Sequence, residues 1–149
     1  MLYFHSRSNQ RQRAGTLSAN PVGMRAGFAT LSKMEAIDGW RQLNERTSRF
    51  CEDLRAGFAC AGADLDVIQY ASIFWIRPRT EAPVRRVDAI PAPQGAWFRR
   101  LFHAALERGV YLPPSGFEVC FLSVAHDADT LRSAAGALVD AAKEAGRPW

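Results

Sequence analysis

Apolar residues recur at helical spacing along two early stretches of the chain. From Pro21 onward, Val22, Ala26, Ala29 and Met34 stand among small and polar neighbours until Gly39 interrupts them. Beyond it, Leu43, Thr47, Phe50, Leu54 and Phe58 form a stronger stripe, with Arg41, Glu45, Glu52 and Arg55 free to face water. The period then changes. "LDVIQY" and "SIFWIRP", within residues 65–78, are rich in β-branched and aromatic side chains and predict two short strands or one bent strand. "RTEAPVRRVDAIPAPQG" has three prolines and no period, so it predicts a surface loop or flap. "AWFRRLFHAALERG" predicts a helix that turns Phe98, Leu101, Phe102 and Ala105 inward and stops at Gly109 in a left-handed cap. "VYL" and "FEVCFLS" flank "PPSG" and predict two strands meeting at a turn. Asp127 is placed to cap a last helix, whose Leu131, Ala135, Leu138 and Ala142 share one face and which ends near Gly146.

The order helix, helix, strand, strand, helix, strand, strand, helix predicts an α+β fold, with an antiparallel or mixed sheet covered by helices and preceded by two more. Residues 1–13, "MLYFHSRSNQRQR", contain no acidic side chain and no dependable period. They are expected to be a flexible or non-native arm, with a targeting peptide or the start of a truncated reading frame as alternatives. Residues 14–62 are expected to be a helical segment and 63–149 the α+β domain. The chain has 149 residues and 48% hydrophobic content, enough for one core of ordinary size. No apolar run approaches the roughly 20 residues that cross a bilayer, and the start lacks a secretory pattern, so the expectation is a cytoplasmic protein without a membrane partner.

Charge changes this picture little. The net charge is +4, but the arginines are scattered as Arg7, Arg11 and Arg13, Arg85 and Arg86, then Arg99 and Arg100, with no nucleic-acid motif beside them. Cys51, Cys60 and Cys120 are odd in number and lack paired spacing, which argues against a disulfide framework and against a zinc site; reduced, mostly buried thiols are expected, and no metal. His103 and His126 have no second histidine at ligand spacing and are expected to serve structural hydrogen bonds. The chain's two lysines, Lys33 and Lys143, lie on polar helical segments beside glutamates and are expected at the surface. Ser115 and Ser123 form no recognisable triad with a histidine and an acid, and there is no glycine-rich dinucleotide or phosphate loop.

Two positions carry possible chemistry. "AGTLSANP", residues 14–21, puts a glycine, two hydroxyls and an amide ahead of Pro21 at a helix start. Unsatisfied amides there attract an anion such as a phosphate, and equally Ser18 or Asn20 can simply cap the helix. Glu118 falls between Phe117 and Val119 in a predicted strand. Alternation lets it point either to solvent or into a polar site walled by apolar neighbours.

Three stretches, "AGTLSANPVGMRAGFATL", "FHAALERGVYLPPSGFEVCFLSVAH" and the strands around "SIFWI", together resemble the C-terminal portion of the glutamate-1-semialdehyde 2,1-aminomutases, within the class III aminotransferases. The resemblance runs from about Ala14 to the last helix. It implies the small C-terminal domain of a fold-type-I transferase that uses pyridoxal 5′-phosphate, a homodimer, and a small-molecule substrate, glutamate-1-semialdehyde, isomerised to 5-aminolevulinate for tetrapyrrole synthesis. Gly15 and Thr16 match the segment that contacts the cofactor phosphate of the neighbouring subunit. Ser18 and Asn20 belong to the same motif, shaping its turn and cap. Glu118 matches an acidic position at the substrate end, where related aminotransferases often carry a carboxylate-binding arginine. The family's covalent cofactor lysine, pyridine-partner aspartate and glycine-rich phosphate turn would lie upstream of Gly15, so no catalytic residue is assigned here and the chain by itself is expected to be inactive. Alternatives are a fragment of another class III aminotransferase or a non-catalytic module that docks on a full-length homologue.

Overall fold

The structure is a computed structural model and describes residues 20–148. Contacts divide the chain after Asp38 into two compact units. Within the first, α1 (Pro21–Ala36) starts at Asn20 and runs on to a turn at Ile37 and Asp38, where Asp38 adopts a φ of 51°. Its Val22, Met24, Phe28 and Leu31 are exposed.

The second unit holds α2 (Gly39–Cys60), β1 (Leu65–Tyr70), β2 (Ile73–Pro78), α3 (Gln94–Glu107), β3 (Cys120–Phe121) and α4 (Ala128–Ala145), with a short 3-10 turn at Val87–Ala89 in the proline-rich loop. The three strands make one antiparallel sheet in the order β1-β2-β3. β1 and β2 pair from Leu65↔Pro78 to Tyr70↔Ile73, so residues 65–78 are two strands and not one bent strand. Alternation sends Leu65, Val67, Phe74 and Ile76 to one face, which α2 covers with Phe50, Leu54 and Phe58. The Phe50 and Phe74 rings meet edge to face at 5.4 Å. Trp97 and Leu101 of α3 and Leu138 of α4 close the same core, and full burial of each such side chain stabilises the fold by about 1.5–3 kcal/mol.

One predicted strand is missing. "VYL" at 110–112 stays irregular because its hydrogen-bonding groups are spent or lacking. The Val110 amide closes α3 onto Ala105 O at 2.9 Å, behind Gly109 at a φ of 80°, while Pro113 and Pro114 have no amide to give a ladder. Leu112 buries itself in the core instead, and the exposed Tyr111 ring packs on Phe102. The partner segment is correspondingly short, since residues before Cys120 form a turn and β3 has only two residues. Glu118 therefore lies in that turn and not within a strand.

The remaining elements follow their sequence signals. Asp127 caps α4, its Oδ1 accepting from the Thr130 amide at 2.8 Å, and that bond holds the Asp127 carboxyl below its ordinary range. α4 ends at Gly146, where Trp97 Nε1 donates to Gly146 O and Arg100 Nε to Ala145 O. On the outer side of β1, the Arg55 guanidinium donates twice to Val67 O, at 2.9 and 2.6 Å, and Arg79 donates to Leu65 O at 3.3 Å. Arg77 is buried against Asp66, Pro78 O and Thr80 Oγ1. Of the three free cysteines only Cys51 is fully buried, whereas Cys120 is half-buried and Cys60 is exposed at the end of α2, so the expectation of mostly buried thiols holds for the first alone.

α2 and α4 approach closely at Gly57, where an added Cβ would collide with Val139, while Gly136 on α4 faces open space. Gly57→Ala should lower unfolding stability by about 1–3 kcal/mol through overpacking, whereas Gly136→Ala should raise it by about 0.5–1 kcal/mol. Urea unfolding of the two variants beside the parent chain reads both signs.

Candidate functional site

The turn between α3 and β3 is built on one carbonyl. Gly116 O accepts from Trp75 Nε1 of β2 at 2.8 Å and from Gln94 Nε2, at the start of α3, at 2.7 Å. Only glycine fits at 116, because a Cβ there would stand 2.7 Å from Phe98 Cβ and Cγ. Within the turn, the Phe117 amide donates to Ser115 Oγ at 3.3 Å and the Glu118 amide to Ser115 O at 3.1 Å. The Glu118 backbone is thus tied to Ser115 within a braced turn, while its side chain is exposed between two exposed apolar residues, Phe117 and Val119. Of the two orientations that the sequence allows, this is the outward one. A carboxylate so placed can repel an anionic group or accept from a cation or N–H that approaches the turn.

Trp75 and Gln94 were not legible as site residues. Trp75 looks like any strand aromatic, and Gln94 ends a proline-rich loop. The one available signal is that a buried indole N–H or amide must find an acceptor. Gln94 is almost wholly buried, and its Oε1 has no partner among the described residues, so its side chain is kept there at a cost that only the Gly116 bond offsets.

Beside the turn lies an apolar cavity of about 370 Å3, walled chiefly by Phe74, Leu112, Val119, Phe121, Leu131 and Leu138. His126 reaches its rim with Nδ1 accepting from the Ser123 amide at 3.0 Å, which is the structural hydrogen bond expected for that histidine. His103 is exposed on α3 beside Phe102.

The start of α1 decides between cap and anion at Asn20. Asn20 Oδ1 accepts from the Val22 amide at 2.9 Å and the Gly23 amide at 3.4 Å, the Met24 amide bonds Asn20 O at 2.9 Å, and Pro21 has no amide. Every amide of the first turn is engaged, so α1 itself offers none to a phosphate. Gly15, Thr16 and Ser18 lie outside the described residues. Lys33 and Lys143 are both exposed, and Lys143 Nζ pairs with Asp140 at 2.8 Å. Neither is enclosed by apolar side chains, as a lysine that bonds a cofactor covalently is.

Comparison with known proteins places these features. The chain is 52% identical over 130 residues to glutamate-1-semialdehyde 2,1-aminomutase of Bdellovibrio bacteriovorus, a match covering 87% of this chain and 30% of that protein. It is 44% identical over 115 residues to the protein of the same name from Leptospira interrogans, covering 76% and 26%. Over these residues the chain belongs to the glutamate-1-semialdehyde 2,1-aminomutase family, as its C-terminal part. It spans about 30% of the length of the aminomutase relatives it matches. No protein-family model matches. The fold is that of transaminases. An omega-transaminase from Sphaerobacter thermophilus superposes with a TM-score of 0.70 at 24% identity, covering 85% of this chain and 28% of that one. A transaminase with PLP bound superposes with a TM-score of 0.69 at 22% identity, covering 89% and 29%. Against this family the described residues alone do not fit a complete pyridoxal-phosphate site, because α1 has no spare amide and both lysines are at the surface.

Trp75→Phe removes one of the two donors to Gly116 O. It should speed hydrogen exchange at the Glu118 amide about tenfold, leaving the Leu122 amide, bonded to Ser72 O, unchanged. The thiols give a second readout. Burial pushes the Cys51 thiol up to about 11, despite the nearby Arg55, and pushes Cys120 up to about 12 with a contribution from Cys51. Raised values keep both protonated at pH 8, with about one Cys51 thiol in a thousand ionised. A disulfide-exchange reagent at that pH should label Cys60 first and the other two only in denaturant.

Proposed function

We propose that the chain serves as the C-terminal part of a glutamate-1-semialdehyde 2,1-aminomutase, a cytoplasmic homodimer that converts glutamate-1-semialdehyde to 5-aminolevulinate for tetrapyrrole synthesis. The observation that carries this reading is the 52% identity over 130 residues to an aminomutase. The braced turn that presents Glu118 supports it.

In this reading Gly15 and Thr16 hold the phosphate of pyridoxal 5′-phosphate bound by the neighbouring subunit. The engaged amides of α1 leave that task to the glycine and the threonine themselves. Asn20 fixes the first turn behind them. The bound cofactor supplies the electron sink for amino transfer. Glu118 stands at the substrate end and turns away a carboxylate that an arginine there would grip, so ordinary diacid amino donors are disfavoured. The lysine that bonds the cofactor is not drawn from this chain, and the isolated 149 residues neither bind the cofactor covalently nor turn over substrate.

A chimera tests this reading, made by replacing the matched segment of the Bdellovibrio bacteriovorus aminomutase with residues 14–149 of this chain. It should form 5-aminolevulinate from glutamate-1-semialdehyde, and Thr16→Ala within it should weaken pyridoxal-phosphate affinity roughly tenfold. A soluble, folded chimera that makes no 5-aminolevulinate, or turnover by the isolated chain, would refute the reading.

A further inference from the structure

α3 begins on a buried amide that packing alone does not call for. Gln94 is 1% exposed and its Oε1 has no partner among the described residues, while its Nε2 donates to Gly116 O at 2.7 Å. Trp75 Nε1 already gives that carbonyl a donor at 2.8 Å, so the Gln94 bond rescues no stranded group. An apolar side chain of the same length would leave nothing unpaired there. What the second bond adds is direction. A carbonyl held from β2 alone can swivel about that contact, whereas one held from both β2 and α3, through its two lone pairs, is fixed.

The first turns of α3 also seat the residues that follow. A Cβ at Gly95 would lie 3.7 Å from the Phe117 ring, so that ring rests over the start of the helix, and Phe98 closes on Gly116 with no room for a side chain. The helix start is itself stiff. Pro91 and Pro93 precede it, the Gln94 amide donates to Pro91 O at 3.0 Å and the Trp97 amide to Pro93 O at 3.1 Å. Residues 116 and 117 are therefore set by α3, and the Glu118 amide closes the turn on Ser115 O. No side-chain hydrogen bond holds the exposed Glu118 carboxylate among the described residues, so its backbone decides where it stands.

We propose that Gln94 is a positioning residue, which holds the Glu118 carboxylate at the substrate end and so sets the discrimination against diacid amino donors. The inference rests on the function proposed above, which places Glu118 at that end. Repulsion between like charges weakens as they separate, so a turn free to swing would carry the carboxylate away and admit a second carboxylate. Gln94 bears an idle buried acceptor, a cost to the fold, in exchange for a fixed turn.

Gln94→Met, of nearly the same length, tests this in two proteins. In the isolated 149-residue chain it should speed hydrogen exchange at the Glu118 amide about tenfold without lowering the urea midpoint. Unchanged exchange there, or a lowered midpoint with every amide of the unit speeded alike, makes Gln94 a packing residue and overturns the proposal. In the chimera described above, the readout is kcat/KM for glutamate, a diacid amino donor, divided by that for glutamate-1-semialdehyde. Gln94→Met should raise this ratio about fivefold and Glu118→Gln about tenfold, and the double variant should match Glu118→Gln alone. A separate effect of Gln94→Met on top of Glu118→Gln would show that it does not act through the carboxylate and overturns the proposal. An active chimera whose ratio Gln94→Met leaves at the parent value rejects the positioning role alone, whereas a folded chimera that forms no 5-aminolevulinate rejects the proposed function.

Discussion

Everything in the larger unit hangs on the packing of α2 against one face of the β1–β2 hairpin. A hairpin alone is marginal in water, and here Phe50, Leu54 and Phe58 meet Val67, Phe74 and Ile76 to give it a core. Once that contact exists, α4 can settle against α2 at Gly57, α3 can settle against α4, and Arg100 of α3 can hold the end of α4. The same arrangement spends all three helices on one side of a three-stranded sheet. The other side is left with aromatic rings facing outward, so the stability of the unit and its unfinished surface have one cause.

Much of this could be read from period and punctuation. The stripe through Leu43, Phe50, Leu54 and Phe58, the left-handed stop at Gly109 and the cap at Asp127 are local signals, and local chemistry decided them. The reading failed where the outcome depended on partners distant in sequence. "VYL" has strand composition, but Val110 had already given its amide to α3 and two prolines followed, so composition lost to hydrogen-bond accounting. Glu118 went from strand to turn for the same reason. Trp75, Gln94 and Gly116 lie up to 41 residues apart in sequence, and nothing in a single chain announces that two of them converge on the carbonyl of the third.

The opening motif also reads differently now. Asn20, Pro21 and the first amides of α1 close on one another, as a self-contained cap does. A helix start that looks suited to an anion is complete without one, which separates the structural half of "AGTLSANP" from the half at Gly15 and Thr16. The first-turn amides of α1 are not among the donors left for an anion.

The outer edge of β1 bears on how such a chain survives in solution. An edge strand with free carbonyls invites another strand, and beside an exposed aromatic face that invitation leads toward fibrous stacking. Here two of the outward carbonyls are occupied, Val67 O by both donors of Arg55 and Leu65 O by Arg79. The opposite edge, β3, is two residues long and offers almost no template. The sheet can therefore keep an exposed apolar face while offering little edge along which to grow sideways.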